Sequence, residues 1–141
     1  MVNRFTAVAI FFVASIVLAT PSHAADKRIG ILVFDNVLTS DVIAPAEVFG
    51  VATRKSWFSN YEVVLIGVER KPVITTEEGI RLPVDATIYD APALDALIVA
   101  SAYDMDGLFK NEDLTAFLHR QGDAVSWLGS NCSGAFLYAH A

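Results

Sequence analysis

One segment constrains the fold more than any other: RIGILVF (28–34) is apolar on every residue but its first, with no polar–apolar alternation. A strand with two apolar faces must be covered on both. That is the position of a central strand in a parallel sheet flanked by helices. The segments that follow fit the same scheme. TSDVIAPAEVFGVATRK (39–55) repeats Val42, Ala46, Phe49 and Ala52 at helical spacing, with Ser40 or Asp41 available as a cap. Pro45 has no N–H and belongs in a first turn, so the regular helix is expected to begin near Ile43. YEVVLIGV (61–68) reads as a second strand, DALIVAS (95–101) as a third, buried one, and AVSWLGS (124–130) as a fourth, central one. KPVITTEEGIRLPVDATI (71–88) reads as a short hairpin that turns at Glu78-Gly79, with Thr75 and Ile80 starting to pair across it. NEDLTAFLHRQ (111–121) puts Leu114, Phe117 and Leu118 on one helical face, and Gly122 reads as its stop. Strands alternating with helices define an α/β fold with a parallel sheet.

The chain has 141 residues, 54% hydrophobic and 18% charged, which suits one domain with a substantial core. Part of the apolar content lies outside it. Residues 1–24 combine Arg4, an apolar run from Phe5 to Ala19, and small residues Ser22 and Ala24 at the −3 and −1 positions of a cleavage site. This is the pattern of a secretory signal peptide cut after Ala24. The run falls short of the ~20 residues that cross a bilayer, so stable membrane anchoring is not expected. Localisation is then periplasmic or secreted. Without Arg4, nine basic against sixteen acidic residues leave a net charge of −7. There is no basic stripe, which argues against nucleic acid as a partner.

The stretch GSNCSGAFLYAHA (129–141) holds the single cysteine, Cys132. A strand ending in Gly129-Ser130-Asn131, followed by a helix opening with Ser133-Gly134-Ala135, leaves Cys132 at a tight strand–turn–helix corner. Small neighbours are required there because the backbone turns sharply and the helix packs closely on the strand. The corner lifts the sulfur to the carboxyl end of the sheet, where open α/β sheets bind ligands. It also sets it at a helix N-terminus, whose N–H groups favour the thiolate. The Ser133 N–H can face an oxyanion, and the Ser133 hydroxyl can donate to a substrate or to the sulfur.

A thiolate nucleophile needs a proton partner. Asp41, at the mouth of the first helix, can lean over the same rim as acid or base, with a plain N-cap as the equal alternative. Asp35 reads as a turn residue whose side chain satisfies nearby backbone. Ser101 or Ala102, after the third strand, can supply a second N–H to an oxyanion, and Asp104 shares that rim. Of the three histidines, His23 leaves with the signal peptide, His119 lies on a polar helix face and His140 is near the end of the chain. No pair has metal-ligand spacing, so no metal is expected.

RIGILVFDNVLTSDVIAPAEVFGVA and WLGSNCSGAFLYA together resemble the ThiJ/PfpI family of the class I glutamine amidotransferase-like superfamily, over residues 27–141. The resemblance implies a flavodoxin-like three-layer α/β sandwich with a mostly parallel sheet, a homodimer in the full-length form, and no cofactor. It places the family nucleophile on Cys132, its acidic partner on Asp41 and a hydroxyl residue on Ser133. Where the family often carries Pro-Gly-Gly after its third strand, this sequence reads Ala100-Ser101-Ala102. The family domain continues past the elbow helix, so residues 25–141 are expected to be the N-terminal part of a longer domain, truncated after the nucleophile elbow with its C-terminal part missing. The implied activity is cysteine-dependent hydration or hydrolysis of a small molecule, isonitrile hydratase-like or glyoxalase/deglycase-like. The alternative is a ligand- or redox-sensing domain related to the sensing half of AraC-type regulators.

Overall fold

The computed structural model describes residues 27–55 and 60–141. The signal-peptide reading of residues 1–24 lies outside the described residues. The elements run β1 (Lys27–Val33), α1 (Thr39–Ala52), β2 (Tyr61–Gly67), β3 (Val73–Thr75), β4 (Arg81–Pro83), β5 (Ala86–Thr87), β6 (Ala96–Val99), α2 (Asp106–Phe109), α3 (Glu112–Ala124), β7 (Trp127–Ser130) and α4 (Gly134–His140). Among the described residues five strands form one sheet in the order β5-β2-β1-β6-β7, and every adjacent pair is parallel. β3 and β4 form a separate antiparallel hairpin.

The apolar run of β1 takes the centre, as its composition demands. Ile31, Leu32 and Val33 are all fully buried, so both faces of the strand are covered. Helix α1 packs on β1 and β2. The apolar stripe of α3, Leu114, Phe117 and Leu118, is buried in the same core as Leu32, Leu97 and Val99. Gly30 leaves room for Leu94, whose Cδ1 would stand 2.8 Å from a Cβ there. The result is the flavodoxin-like α/β fold, with parallel strands between helical layers.

Several expectations are corrected. Helix α1 begins at Thr39 rather than near Ile43, and Pro45 lies inside it. The first N–H of the helix is met from elsewhere in the chain: Glu78 Oε2 receives the Thr39 N–H at 3.0 Å. Neither Ser40 nor Asp41 caps the helix, and the N-cap position is Leu38. The fourth strand forms as β7, paired in parallel with β6. Among the described residues β7 is the edge of the sheet, and its Trp127 is 78% exposed. The hairpin is shifted by one residue, with Thr75 opposite Arg81. Thr76 accounts for the shift: its N–H donates to the Ile80 carbonyl at 2.8 Å, and its hydroxyl accepts the Ile80 N–H at 3.1 Å. α3 also runs through Gly122 to Ala124, and the Val125 N–H closes it on the Gln121 carbonyl.

Candidate functional site

The corner at Cys132 is built by backbone bonds from three elements. The Asn131 N–H donates to the Val99 carbonyl at 2.9 Å, which carries the β6–β7 pairing one residue past the strand. The chain then turns back: Gly134 N–H reaches the Asn131 carbonyl at 3.0 Å and Phe136 N–H the Ser133 carbonyl at 3.0 Å, opening α4. Cys132 sits between these bonds with φ +49°, in the left-handed region that side chains rarely adopt. Gly134 makes the corner possible, because a Cβ there would lie 2.3 Å from the Val99 oxygen and 2.8 Å from that of Ala100. The thiol of Cys132 is exposed. Among the described residues the backbone N–H groups of Cys132 and Ser133 donate to no protein acceptor, so both remain available to an anion.

Asp41 lies in the first turn of α1, and it is buried at 7% exposure. Its carboxylate Oδ2 accepts a hydrogen bond from the hydroxyl of Ser101, which is completely buried. No hydrogen bond joins Asp41 to Cys132 among the described residues. The loop after β6 lies between them. The Ser101 carbonyl accepts the Leu38 N–H at 2.9 Å, and the Ala102 carbonyl lies 3.3 Å from the Ser133 hydroxyl. The Ser133 hydroxyl is also 3.0 Å from Met105 Sδ. Its one proton has two acceptors within reach, both on the protein. Ala102 is itself buried. Asp104 is exposed and accepts the Asp106 N–H at 3.0 Å, an ordinary loop contact.

The hairpin supports this rim, a role its sequence did not announce. Glu78 at the turn binds both the Thr39 N–H and the Thr39 hydroxyl, and these bonds hold its carboxyl below the usual carboxylate range. Thr39 Oγ1 in turn meets Thr76 Oγ1 at 2.7 Å. Asp35, at the end of β1, receives the ammonium of Lys71 and the Thr75 N–H, and both hold its carboxyl low. Its partners are 36 and 40 residues away rather than in its own turn. Asn36 takes the tight position after it with φ +62°, which asparagine tolerates.

Beside the corner, a groove of about 630 Å³ runs along the sheet between α1 and β7. Pro45 and Phe49 form one wall, Ile29, Ile98 and Leu128 the floor, and the groove ends at Asn131, next to Cys132. Among the described residues, no group of three or more His, Cys, Asp or Glu side chains stands close enough to hold a metal ion. No helix among them is long and apolar enough to cross a membrane. His119 faces Asp123 at 3.9 Å on the exposed side of α3, and the His140 ring meets Phe109 edge-on at 5.5 Å.

These features define an α/β protein with an exposed cysteine at a strand–helix elbow. Solved structures share that arrangement of elements. A ThiJ/PfpI family protein from Pseudomonas syringae matches with a TM-score of 0.72 at 19% identity, over 94% of this chain and 52% of its own. A ThiJ/PfpI domain protein from Brachyspira murdochii matches with a TM-score of 0.69 at 14% identity, over 81% and 63%. A two-domain protein from Anabaena variabilis, with DJ-1/ThiJ/PfpI-like and ferritin-like domains, matches with a TM-score of 0.65 at 20% identity, over 81% and 32%. The chain therefore has the fold of the ThiJ/PfpI and DJ-1 proteins, and it spans a third to under two thirds of these three solved chains. By sequence it is 29% identical over 118 residues to a curated Streptomyces lividans protein described as an uncharacterized protein in the cpoL 5' region, covering 84% of this chain and 82% of that one. No protein-family model matches the sequence.

Proposed function

We propose that this chain is the nucleophile-bearing part of a cysteine-dependent small-molecule enzyme of the ThiJ/PfpI type. The observation that carries this reading is the exposed thiol of Cys132, held at φ +49° on a corner whose own N–H groups are unused. Backbone held in this region is strained, and such strain clusters at functional sites. In this reading the thiolate adds to an electrophilic carbon, of an isonitrile or a reactive carbonyl. At a carbonyl the π pair moves to oxygen, which takes up through Asp41 the proton given up by the thiol; at an isonitrile the sulfur and that proton both add to the terminal carbon, giving a thioimidate. The N–H groups of Cys132 and Ser133 hold the developing negative charge. Water then displaces the sulfur from the isonitrile adduct, giving the formamide and the free thiol; the hemithioacetal of a 2-oxoaldehyde passes its C1 hydrogen to C2 as a proton, and water releases the resulting thioester as the 2-hydroxy acid.

The test is turnover of isonitriles and of 2-oxoaldehydes by the protein and by Cys132→Ser. Loss of turnover in the variant supports the mechanism, and equal turnover in both overturns it. An exposed thiol without a hydrogen-bond partner among the described residues also suits redox sensing, since accessible thiolates oxidise readily. In that case Cys132 reacts with peroxide once per chain and neither substrate class turns over. The reading includes export: mature protein from the periplasm or medium is expected to begin at Ala25. It also includes a homodimer of the full-length form, which sedimentation tests directly.

A further inference from the structure

We propose that the β3–β4 hairpin is a flap over the connection from β1 to α1, clamped shut by Asp35 and Glu78 and loosened when the two take up protons. Among the described residues the hairpin pairs with no strand of the five-stranded sheet. A two-stranded hairpin is marginal by itself, and such motifs open locally as units, so the bonds that join it to the body decide how firmly it is held. It lies along residues 35–39, at the carboxyl end of β1. Two carboxylates clamp this seam. Asp35 receives the Lys71 ammonium and, at 2.9 Å, the Thr75 N–H. Glu78, at the hairpin turn, receives the Thr39 N–H at 3.0 Å and the Thr39 hydroxyl. Between the clamps the Asn36 N–H meets the Thr75 carbonyl at 2.8 Å, and the Glu77 N–H meets the Val37 carbonyl at 3.0 Å. Ile74 and Leu82 are buried beneath, so the closed flap is the resting state.

The clamps answer to pH through their charge. Lys71 is the charged group that faces Asp35, and it stays protonated wherever a carboxylate titrates. Thr39 and Thr76 face Glu78, and no cation pairs with it among the described residues. These partners favour both carboxylates over the acids, so the closed flap binds their protons less tightly than the open one. The clamps are intact above about pH 4.5 and are lost as pH falls through the lowered, closed-state values. Both carboxylates are exposed, which limits each clamp to about threefold in the opening equilibrium and the pair to about tenfold.

The experiment is native-state amide hydrogen exchange on the full chain, expressed as protection factors so that the intrinsic pH dependence of exchange is removed. The N–H groups of Asn36 and Glu77 report the seam, and those of β1 and β6 report the sheet. At pH 6 the seam is expected to be less protected than the sheet, and its exchange to respond less steeply to low concentrations of urea, because little surface is exposed when a flap opens. From pH 6 to pH 3 seam protection is expected to fall about tenfold. Asp35→Asn/Glu78→Gln, which stands in for the two protonated acids, should show that fall already at pH 6 and no further fall at pH 3. Seam and sheet amides with one protection and one urea slope would overturn the flap, since the hairpin would then open only when the whole protein unfolds. Seam protection that ignores pH, or that falls equally in the double variant, would overturn the clamps. If the double variant does not fold, Glu78→Gln alone, at the exposed turn, should carry about threefold of the same fall.

Discussion

Gly134 lies so close to Val99 that a Cβ on it would stand 2.3 Å from the Val99 oxygen. This contact seats α4 on the end of β6 and so sets the angle at which Cys132 is presented. The obstacle is backbone on a central part of the sheet, which cannot swing aside as a side chain would.

Gly134→Ala is therefore expected to cost about 3 kcal/mol, the upper part of the range for overpacking. The urea midpoint measures the loss. A destabilisation below about 1 kcal/mol would show that the elbow yields easily.

The positive φ of Cys132 predicts an order of stabilities. The left-handed region costs a residue with a Cβ about 1 kcal/mol relative to glycine. Cys132→Gly should thus be more stable than Cys132→Ala by about that amount, although both lose the thiol. Thermal unfolding of the two variants at one pH decides it. Equal midpoints would mean that the corner is relaxed.

Ser133 ties the elbow to the loop before α2 through the Ala102 carbonyl and Met105 Sδ. Ser133→Ala should cost about 1 kcal/mol of stability, the usual net value of such a bond. If the hydroxyl also meets substrate, turnover falls further than this destabilisation explains, which is read by comparing kcat/KM at a temperature where both proteins are folded.

Asp35 makes stability depend on pH. Lys71 and the Thr75 N–H lower its folded pKa from 3.8, so the unfolded chain binds its proton more tightly. The stabilisation is present above about pH 4 and is lost as pH falls through the lower, folded value. Asp35→Asn should be less stable than the parent at pH 7, with the difference closing as the pH falls below about 4 and through the folded value. Because the side chain is 44% exposed, the difference should stay under about 1 kcal/mol. A gap that widens on acidification would reverse the assignment. Glu78, lowered by the Thr39 hydroxyl and N–H, should act with the same sign.

Local pattern in the sequence was enough for much of this. The unbroken apolar run of β1 demanded cover on both faces, and among the described residues it is the middle strand of five. The spacing of Leu114, Phe117 and Leu118 named the buried face of α3. The small residues around Cys132 signalled a tight corner, because only a residue without a Cβ permits the approach seen at Gly134. Each of these signals is carried by neighbours within a few positions, where hydrophobic period and steric size act directly.

Other features depend on partners far along the chain. Pro45 argued for a late helix start, and the acceptor that meets the first N–H of an early one, Glu78, comes from a hairpin turn 39 residues beyond Thr39. Asp41 had an even claim to be a cap, and its actual partner is Ser101, 60 residues on. Among the described residues β7 borders the sheet, and its Trp127 is exposed. Sequence alone determined which segments become strands, where the chain must turn tightly, and that a lone thiol stands at such a turn. Only the tertiary structure decided which carboxylate is buried, which hydroxyl it meets and which strand is left at the border, because hydrogen bonds between distant loops follow from how the sheet is ordered and leave no period in the chain.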